Sequence, residues 1–201
     1  MIRVLMAEDQ GMVRGALASL LGLEPDIEVV AQVSRGDEVL AAARAARPDI
    51  VLLDIEMPGA SGLDAAEQLA QDLPECRVLI LTTFGRPGYL RRAMAGGAAG
   101  FLLKDAPASE LSAAIRRVLR GERVVDPGLA AAALSQGESP LTPREQEVLS
   151  ASREHATVAD MAQALYLSPG TVRNHLSSVM QKLDARNRGE AVRLAEERGW
   201  L

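Results

Sequence analysis

The chain has 201 residues, 48% of them hydrophobic, and a formal net charge of −5. That length allows one large domain or two modest ones with real cores, and the apolar share argues against a disordered chain. One cysteine, Cys76, excludes an internal disulfide framework; no basic leader opens the chain and no apolar run approaches membrane-spanning length, so a soluble cytoplasmic protein with no membrane partner is expected.

The first half alternates in a βα rhythm. Strands are predicted over residues 2–7, 27–33, 50–54, 77–82 and 100–103, and helices over about 12–23, 36–46, 63–71, 88–95 and 108–120. Five such units predict an α/β flavodoxin-like sheet, parallel and doubly wound, in strand order 2-1-3-4-5. Ile50 to Leu53 is unbroken and apolar, as a strand covered on both faces would be, and Asp54 ends the run. Met57-Pro58-Gly59 then forces a turn, with Gly59 and Gly62 permitting conformations closed to other residues.

A strand-closing Asp by itself reads as a helix cap or a solvated loop residue. Three other strand ends change that reading. The first strand runs into Glu8-Asp9, the fourth into Thr82-Thr83, and the fifth into Lys104. In an open parallel sheet these ends converge on one crevice. Glu8, Asp9 and Asp54 offer the hard oxygen ligands that suit Mg²⁺, Lys104 a point charge for phosphoryl oxygens, and Thr82 a hydroxyl. Phosphorylating a carboxylate asks mainly for such positioning and charge neutralisation. A dinucleotide site is disfavoured, because the first βα turn, Ala7-Glu8-Asp9-Gln10-Gly11, lacks G-x-G-x-x-G.

Residues 122–140 break the pattern with turn chemistry around an apolar patch at 129–134, predicting a partly helical linker between domains at 1–121 and 141–201. Beyond it, Thr142-Pro143-Arg144-Glu145 forms a capping box that opens a helix to about Ser152. Thr157 caps a second helix with Met161, Ala162 and Leu165 on one face. Ser168 caps a third that runs to Leu183, and a fourth covers about 188–197. Two short helices joined by a tight turn read as a helix-turn-helix. On the third helix Arg173, Asn174 and Ser177 share a face, and Arg and Asn are the types that read guanine and adenine edges. Ser168, Thr171, Lys182 and Arg188 are placed for the DNA backbone, and His175 for packing, capping or base contact. Within 171–193 five basic residues oppose only Asp184 and Glu190, a modest stripe that predicts weak non-specific binding and dependence on dimerisation.

Residues 1–121 resemble the receiver domain of bacterial two-component response regulators: an acidic pair, D-x-x-M-P-x-x-x-G, a Thr and a Lys. Residues 141–201 are similar to the DNA-binding domain of the NarL/FixJ (LuxR-type) family, matched at Leu141, Thr142, Arg144, Glu145, Leu167, Ser168, Thr171, Val172, Arg173, His175, Lys182, Leu183, Arg188, Glu190 and Ala191. The segment from Thr82 to Tyr89 is similar to regulators of the DesR type, which control membrane-lipid desaturation. The resemblance implies that Asp54 accepts a phosphoryl group from a sensor histidine kinase, and that Glu8, Asp9, Asp54 and the backbone carbonyl of Glu56 hold Mg²⁺. It further implies that Thr82 and Phe101 form the switch, and that the phosphorylated homodimer binds promoter DNA. Beyond slow self-phosphorylation and self-dephosphorylation, no enzyme activity is expected. Phe101 equally fits a buried strand aromatic.

Several positions depart from the family. His155 stands where Gly is favoured, Ala159 and Ser177 where Lys is common, and Asp105 where a Pro with a cis bond often follows the Lys. Two other functions compete: a Mg²⁺-dependent phosphatase with Asp54 as nucleophile, and a DNA-binding regulator whose receiver answers to a ligand or partner instead of phosphorylation. The intact Asp, Thr and Lys set argues against the latter.

Overall fold

The apolar runs of the first half become the parallel strands β1 (Ile2–Ala7), β2 (Ile27–Val33), β3 (Ile50–Leu53), β4 (Arg77–Thr82) and β5 (Gly100–Leu103). In this computed structural model the described residues are 1–83, 85–135 and 139–201; Phe84 of the 82–89 segment, and Gln136, Gly137 and Glu138 of the expected turn, lie outside them. The helices of this half are α1 (Gly11–Leu21), α2 (Val39–Ala46), α3 (Gly62–Asp72), α4 (Pro87–Ala95), α5 (Ala108–Leu119) and α6 (Pro127–Ser135), the last within the expected linker.

The sheet order is β2-β1-β3-β4-β5-β6, so the five predicted strands keep the expected order and a sixth, β6 (Val124–Val125), is added. It lies parallel to β5, pairing Gly100 with Val124 and Phe101 with Val125. Both faces of the sheet are covered, which is why its strands do not alternate. Val4, Met6, Ile50, Leu52, Leu79, Leu81 and Leu102 pack with Leu21 of α1 and with Leu111, Ala114, Ile115 and Val118 of α5. Leu5, Val51, Leu53, Ile80 and Phe101 are buried on the opposite side, where α2 meets β1 and β2, and α3 meets β4.

Two local departures concern the loops that follow β2 and β3. The second helix begins at Val39, after a single 3₁₀ turn at Gly36–Glu38. Gly36 is pinned there: its N–H donates to Pro58 O at 3.0 Å, and a Cβ would sit 1.9 Å from Ala60 O. Gly59 does take a positive φ of 87°, as the turn requires. Gly62 does not; it is needed for space, since a Cβ would lie 1.8 Å from the carbonyl oxygen of Asp54.

Contacts group the chain into two compact units, Met1–Gly85 with Leu90–Ala130, and Arg86–Tyr89 with Ala131–Leu201. The second holds α7 (Pro143–Glu154), α8 (Val158–Ala164), α9 (Pro169–Leu183) and α10 (Arg188–Arg198). Leu149 of α7, Val179 and Leu183 of α9, Ala191 and Ala195 of α10, and Trp200 form one apolar cluster. Val148, Met161, Ala162, Val172 and Leu176 form another, which joins α7, α8 and α9. No described helix is long and apolar enough to cross a membrane.

Candidate functional site: an acidic pocket and a recognition helix

At the carboxyl ends of β1 and β3 the chain presents Glu8, Asp9 and Asp54, with one carboxylate oxygen from each lying within 4.8 Å of the others. Glu8 and Asp54 are buried, and Asp9 is exposed. Strand β5 delivers Lys104 between them, its Nζ 2.6 Å from Glu8 Oε2 and 2.8 Å from Asp54 Oδ2. Burial pushes the Glu8 carboxyl above its ordinary range and outweighs the opposing hydrogen bond and charge of Lys104. Burial would depress the Lys104 ammonium, but hydrogen bonds to Asp54 and Glu8 outweigh it and hold the pKa above its ordinary value. Thr82 is fully buried at the end of β4, and its carbonyl accepts the Lys104 N–H at 2.9 Å. Phe101 is fully buried in β5. Glu56 is exposed, two residues past Asp54.

The loop after β3 fixes the direction of Asp54. Its Oδ1 accepts the Ile55 N–H at 2.8 Å, and the Gly62 N–H donates to Ile55 O at 2.9 Å. Ser61 and Asp64 close a capping box that starts α3 immediately afterwards. Sequence reasoning did not single out Arg14, whose Nη1 donates to the carbonyl of Glu8 at 2.6 Å and to that of Asp9 at 3.4 Å, tying the acidic pair to the first turn of α1. Its five-residue spacing from Asp9 was the available signal.

In the second unit the predicted capping of α7, α8 and α9 is present. Glu145 gathers four donors: Thr142 N at 2.7 Å, Thr142 Oγ1 at 3.0 Å, Ser178 Oγ at 2.6 Å and Lys182 Nζ at 2.7 Å. Burial would raise its pKa, yet the hydrogen bonds from Lys182, Ser178 and Thr142 bring it down to about 2. Ser168 caps α9, accepting the Thr171 N–H at 3.1 Å. Along α9, Val172, Leu176, Val179 and Leu183 face the core, while Arg173, Asn174 and Ser177 are exposed together and His175 is half-buried. Arg173 makes no hydrogen bond or ion pair among the described residues, so its guanidinium is available for an outside acceptor.

A buried acidic pocket at the carboxyl edge of a parallel sheet, followed by a helix-turn-helix with a solvent-facing polar stripe, points to two known kinds of domain. Residues 4–116 match the response regulator receiver domain, and residues 139–195 the bacterial regulatory proteins of the luxR family. The chain belongs to the response regulators with a LuxR-type DNA-binding domain. It is 49% identical to the transcriptional regulatory protein YvfU of Bacillus subtilis (strain 168), and 45% identical to the transcriptional regulatory protein DesR of the same organism, each over the whole of both chains. Among solved structures it is similar to the response regulator ChrA of a heme-sensing two-component system, at 34% identity and a TM-score of 0.58, covering 100% of this chain and 98% of that one.

In this response regulator two residues expected at the DNA backbone are engaged inside their own domain. Lys182 is bonded to Glu145, and Arg188 Nη1 donates to the carbonyls of His155 at 3.4 Å and Ala156 at 3.2 Å. Both sides of these pairs are set by tertiary contact, which no spacing along the helix reveals. The regulator has no cis peptide among its described residues, so Lys104-Asp105 is trans.

Proposed function

We propose that Asp54 is the phosphoacceptor of this regulator and that its phosphorylation controls promoter binding by the LuxR-type domain. The observation that carries this reading is Lys104, a buried ammonium bridging Asp54 and Glu8 at the sheet edge. Asp54 attacks the phosphorus of the donor, and the bond to the kinase histidine nitrogen or to a small donor's leaving group breaks. The product is an aspartyl phosphate. Lys104 then exchanges its carboxylate contact for a phosphoryl oxygen, and Thr82 offers a hydroxyl donor.

Three carboxylates offering hard oxygens within 4.8 Å of one another suit Mg²⁺. Glu8, Asp9, Asp54 and the Glu56 carbonyl would hold it. Bound there, the metal neutralises charge on the phosphoryl oxygens. Burial of Glu8 is consistent with a site built to receive positive charge. Thr82 moving toward the phosphoryl group, with Phe101 filling the space it leaves, makes the local charge event a packing switch.

The partners that follow are a sensor histidine kinase, promoter DNA and, once phosphorylated, a second copy of the chain. On the DNA side Arg173, Asn174 and Ser177 face the bases, with Ser168, Thr171 and His175 beside the backbone. Lys182 and Arg188 hold the domain in shape before they touch phosphate. Intact mass and size-exclusion elution of wild type and Asp54→Ala, each incubated with Mg²⁺ and acetyl phosphate, test the reading. Wild type alone should gain one phosphoryl group and elute larger. If neither form is modified while both bind promoter DNA equally, the receiver answers to another ligand or partner and the proposal fails.

A further inference from the structure

Among the described residues five helices end in the same hydrogen-bond pattern, and one of them ends on an unexpected residue. In this cap a residue one or two places past the last helical one takes a left-handed conformation, its N–H bonding back three residues and the next N–H bonding back five. Gly97 with Ala98, Gly121 with Glu122, Asp184 with Ala185, and Gly199 with Trp200 all follow it. So does Tyr166 with Leu167 at the end of α8, where Tyr166 N–H donates to Gln163 O at 3.3 Å and Leu167 N–H to Ala162 O at 2.8 Å. Three of the five use Gly, which adopts positive φ without penalty, and one uses Asp, whose short polar side chain tolerates it. Tyr166, at φ 54°, has neither excuse; among the described residues only Arg47, at φ 47° after α2, is another large side chain in such a cap, and its N–H makes a single bond back to Ala43 O.

No side-chain contact of Tyr166 among the described residues repays that strain. The Tyr166 side chain is 96% exposed and makes no hydrogen bond or ring contact among the described residues. The apolar anchor of the turn is Leu167, which packs against the cluster of Val148, Met161 and Val172. The turn is held from outside by Arg144, whose Nη2 donates to Leu165 O at 3.2 Å. A bulky aromatic kept in a left-handed cap with no partner of its own is a cost that packing does not explain, and such outliers gather where a ligand is met. Its position says which ligand. Tyr166 stands two residues before Ser168, the cap of recognition helix α9, and on the turn that a helix-turn-helix carries to the duplex.

We infer that Tyr166 is a DNA contact, its phenol hydroxyl donating to a backbone phosphate oxygen beside the groove that α9 enters. This goes beyond the family assignment and rests on the domain's DNA binding. A neutral donor of this kind positions the domain without reading sequence. It also releases no counterion, so it strengthens binding without steepening the salt dependence.

The test uses the full chain, its Tyr166→Gly, Tyr166→Phe and Arg173→Ala variants, and a labelled random-sequence duplex of about three helical turns. Fluorescence anisotropy over a range of salt reads affinity and slope; thermal unfolding reads stability. Tyr166→Gly should bind at least about tenfold more weakly, the lower end of the effect of one hydrogen bond to a charged acceptor. Its unfolding midpoint should stay level or rise, and its salt slope should parallel wild type. Tyr166→Phe should show most of the same loss. Arg173→Ala, by contrast, should flatten the slope by about one charge, because on a random-sequence duplex that sets no guanine before it the guanidinium meets phosphate instead of a base edge.

A purely structural Tyr166 gives the opposite signs. If Tyr166→Gly unfolds earlier and loses affinity only in proportion, or if either Tyr166 variant binds like wild type, the assignment is overturned. Should Arg173→Ala lose binding while both Tyr166 variants keep it, this contact alone fails. A wild-type chain that does not bind the duplex at all, even after incubation with Mg²⁺ and acetyl phosphate, would overturn the DNA reading and this contact together.

Discussion

Two side chains in this regulator hold opposite charge together under protein, and each makes a prediction that the sequence motif alone does not. Lys104 is 8% exposed between Glu8 and Asp54, at 2% and 5%. Removing the cation leaves two buried carboxylates facing each other, and breaking such a pair costs about 3–5 kcal/mol. Lys104→Ala should therefore lower the thermal midpoint of the N-terminal unit, and Mg²⁺ should raise that midpoint more in the variant than in wild type. Equal Mg²⁺ shifts in both proteins would count against a shared metal and lysine site. Glu145 is the counterpart in the DNA-binding unit, with its carboxyl held at about 2 against the 4.5 of an unperturbed Glu. A depressed acid contributes stability above its unfolded pKa and loses it as pH falls through the folded one. Trp200, the only tryptophan, sits in that unit's core and reports its unfolding. Its fluorescence should show stability falling between about pH 4.5 and 2, with Glu145→Gln about 1–3 kcal/mol weaker at neutral pH and flatter across the acid range. An acid profile unchanged by the substitution would assign the transition to other carboxylates.

At the scale of elements, the loop after β3 is built so closely that one methyl group tests it. A Cβ on Gly62 would meet Asp54 O at 1.8 Å and Ile55 Cα at 3.1 Å, both backbone and neither able to swing aside. Gly62→Ala should destabilise the receiver by at least the 1–3 kcal/mol typical of overpacking. It should also slow labelling by acetyl phosphate, because the atom it displaces belongs to Asp54 itself; intact mass against time reads the rate. Unchanged labelling would mean the loop relaxes without moving the carboxylate. Strands β1, β2, β4 and β5 fall on their predicted residues because apolar runs bounded by turn residues mark buried parallel strands at both ends. The acid, hydroxyl and lysine ends were legible for the same reason: each closes such a run. What was not legible depends on contacts far along the chain. Two residues of β6 carry no period, and Gly121 and Pro127 around them read as loop. The start of α2 is set by Ala60, 24 positions beyond Gly36. Arg188 is claimed by carbonyls 32 and 33 residues away. Tyr166 looked like any turn residue until its φ was known.

For the whole molecule, charge decides how phosphorylation must act. The chain carries −5 already, and on Asp54 a phosphoryl group of roughly −1.5 to −2 replaces the −1 of the carboxylate, a net gain of at most about one negative charge near neutral pH. Long-range attraction to DNA can only weaken on that account. A gain in promoter affinity must then come from joining two DNA-binding domains, whose second docking becomes intramolecular, or from releasing a domain that was held back. The two routes separate on the geometry of the DNA. A dimer reads half-sites about one helical turn apart, so adding about five base pairs between them turns one half-site to the far side of the duplex. With a site selected from random duplexes by the acetyl-phosphate-treated protein, that insertion should abolish the gain from phosphorylation while leaving the unmodified protein's weak binding untouched. Binding should also rise more steeply with protein concentration after treatment, and the Asp54→Ala protein should show neither effect. If the insertion leaves the gain intact, phosphorylation acts on each protomer separately and release of the domain is the route.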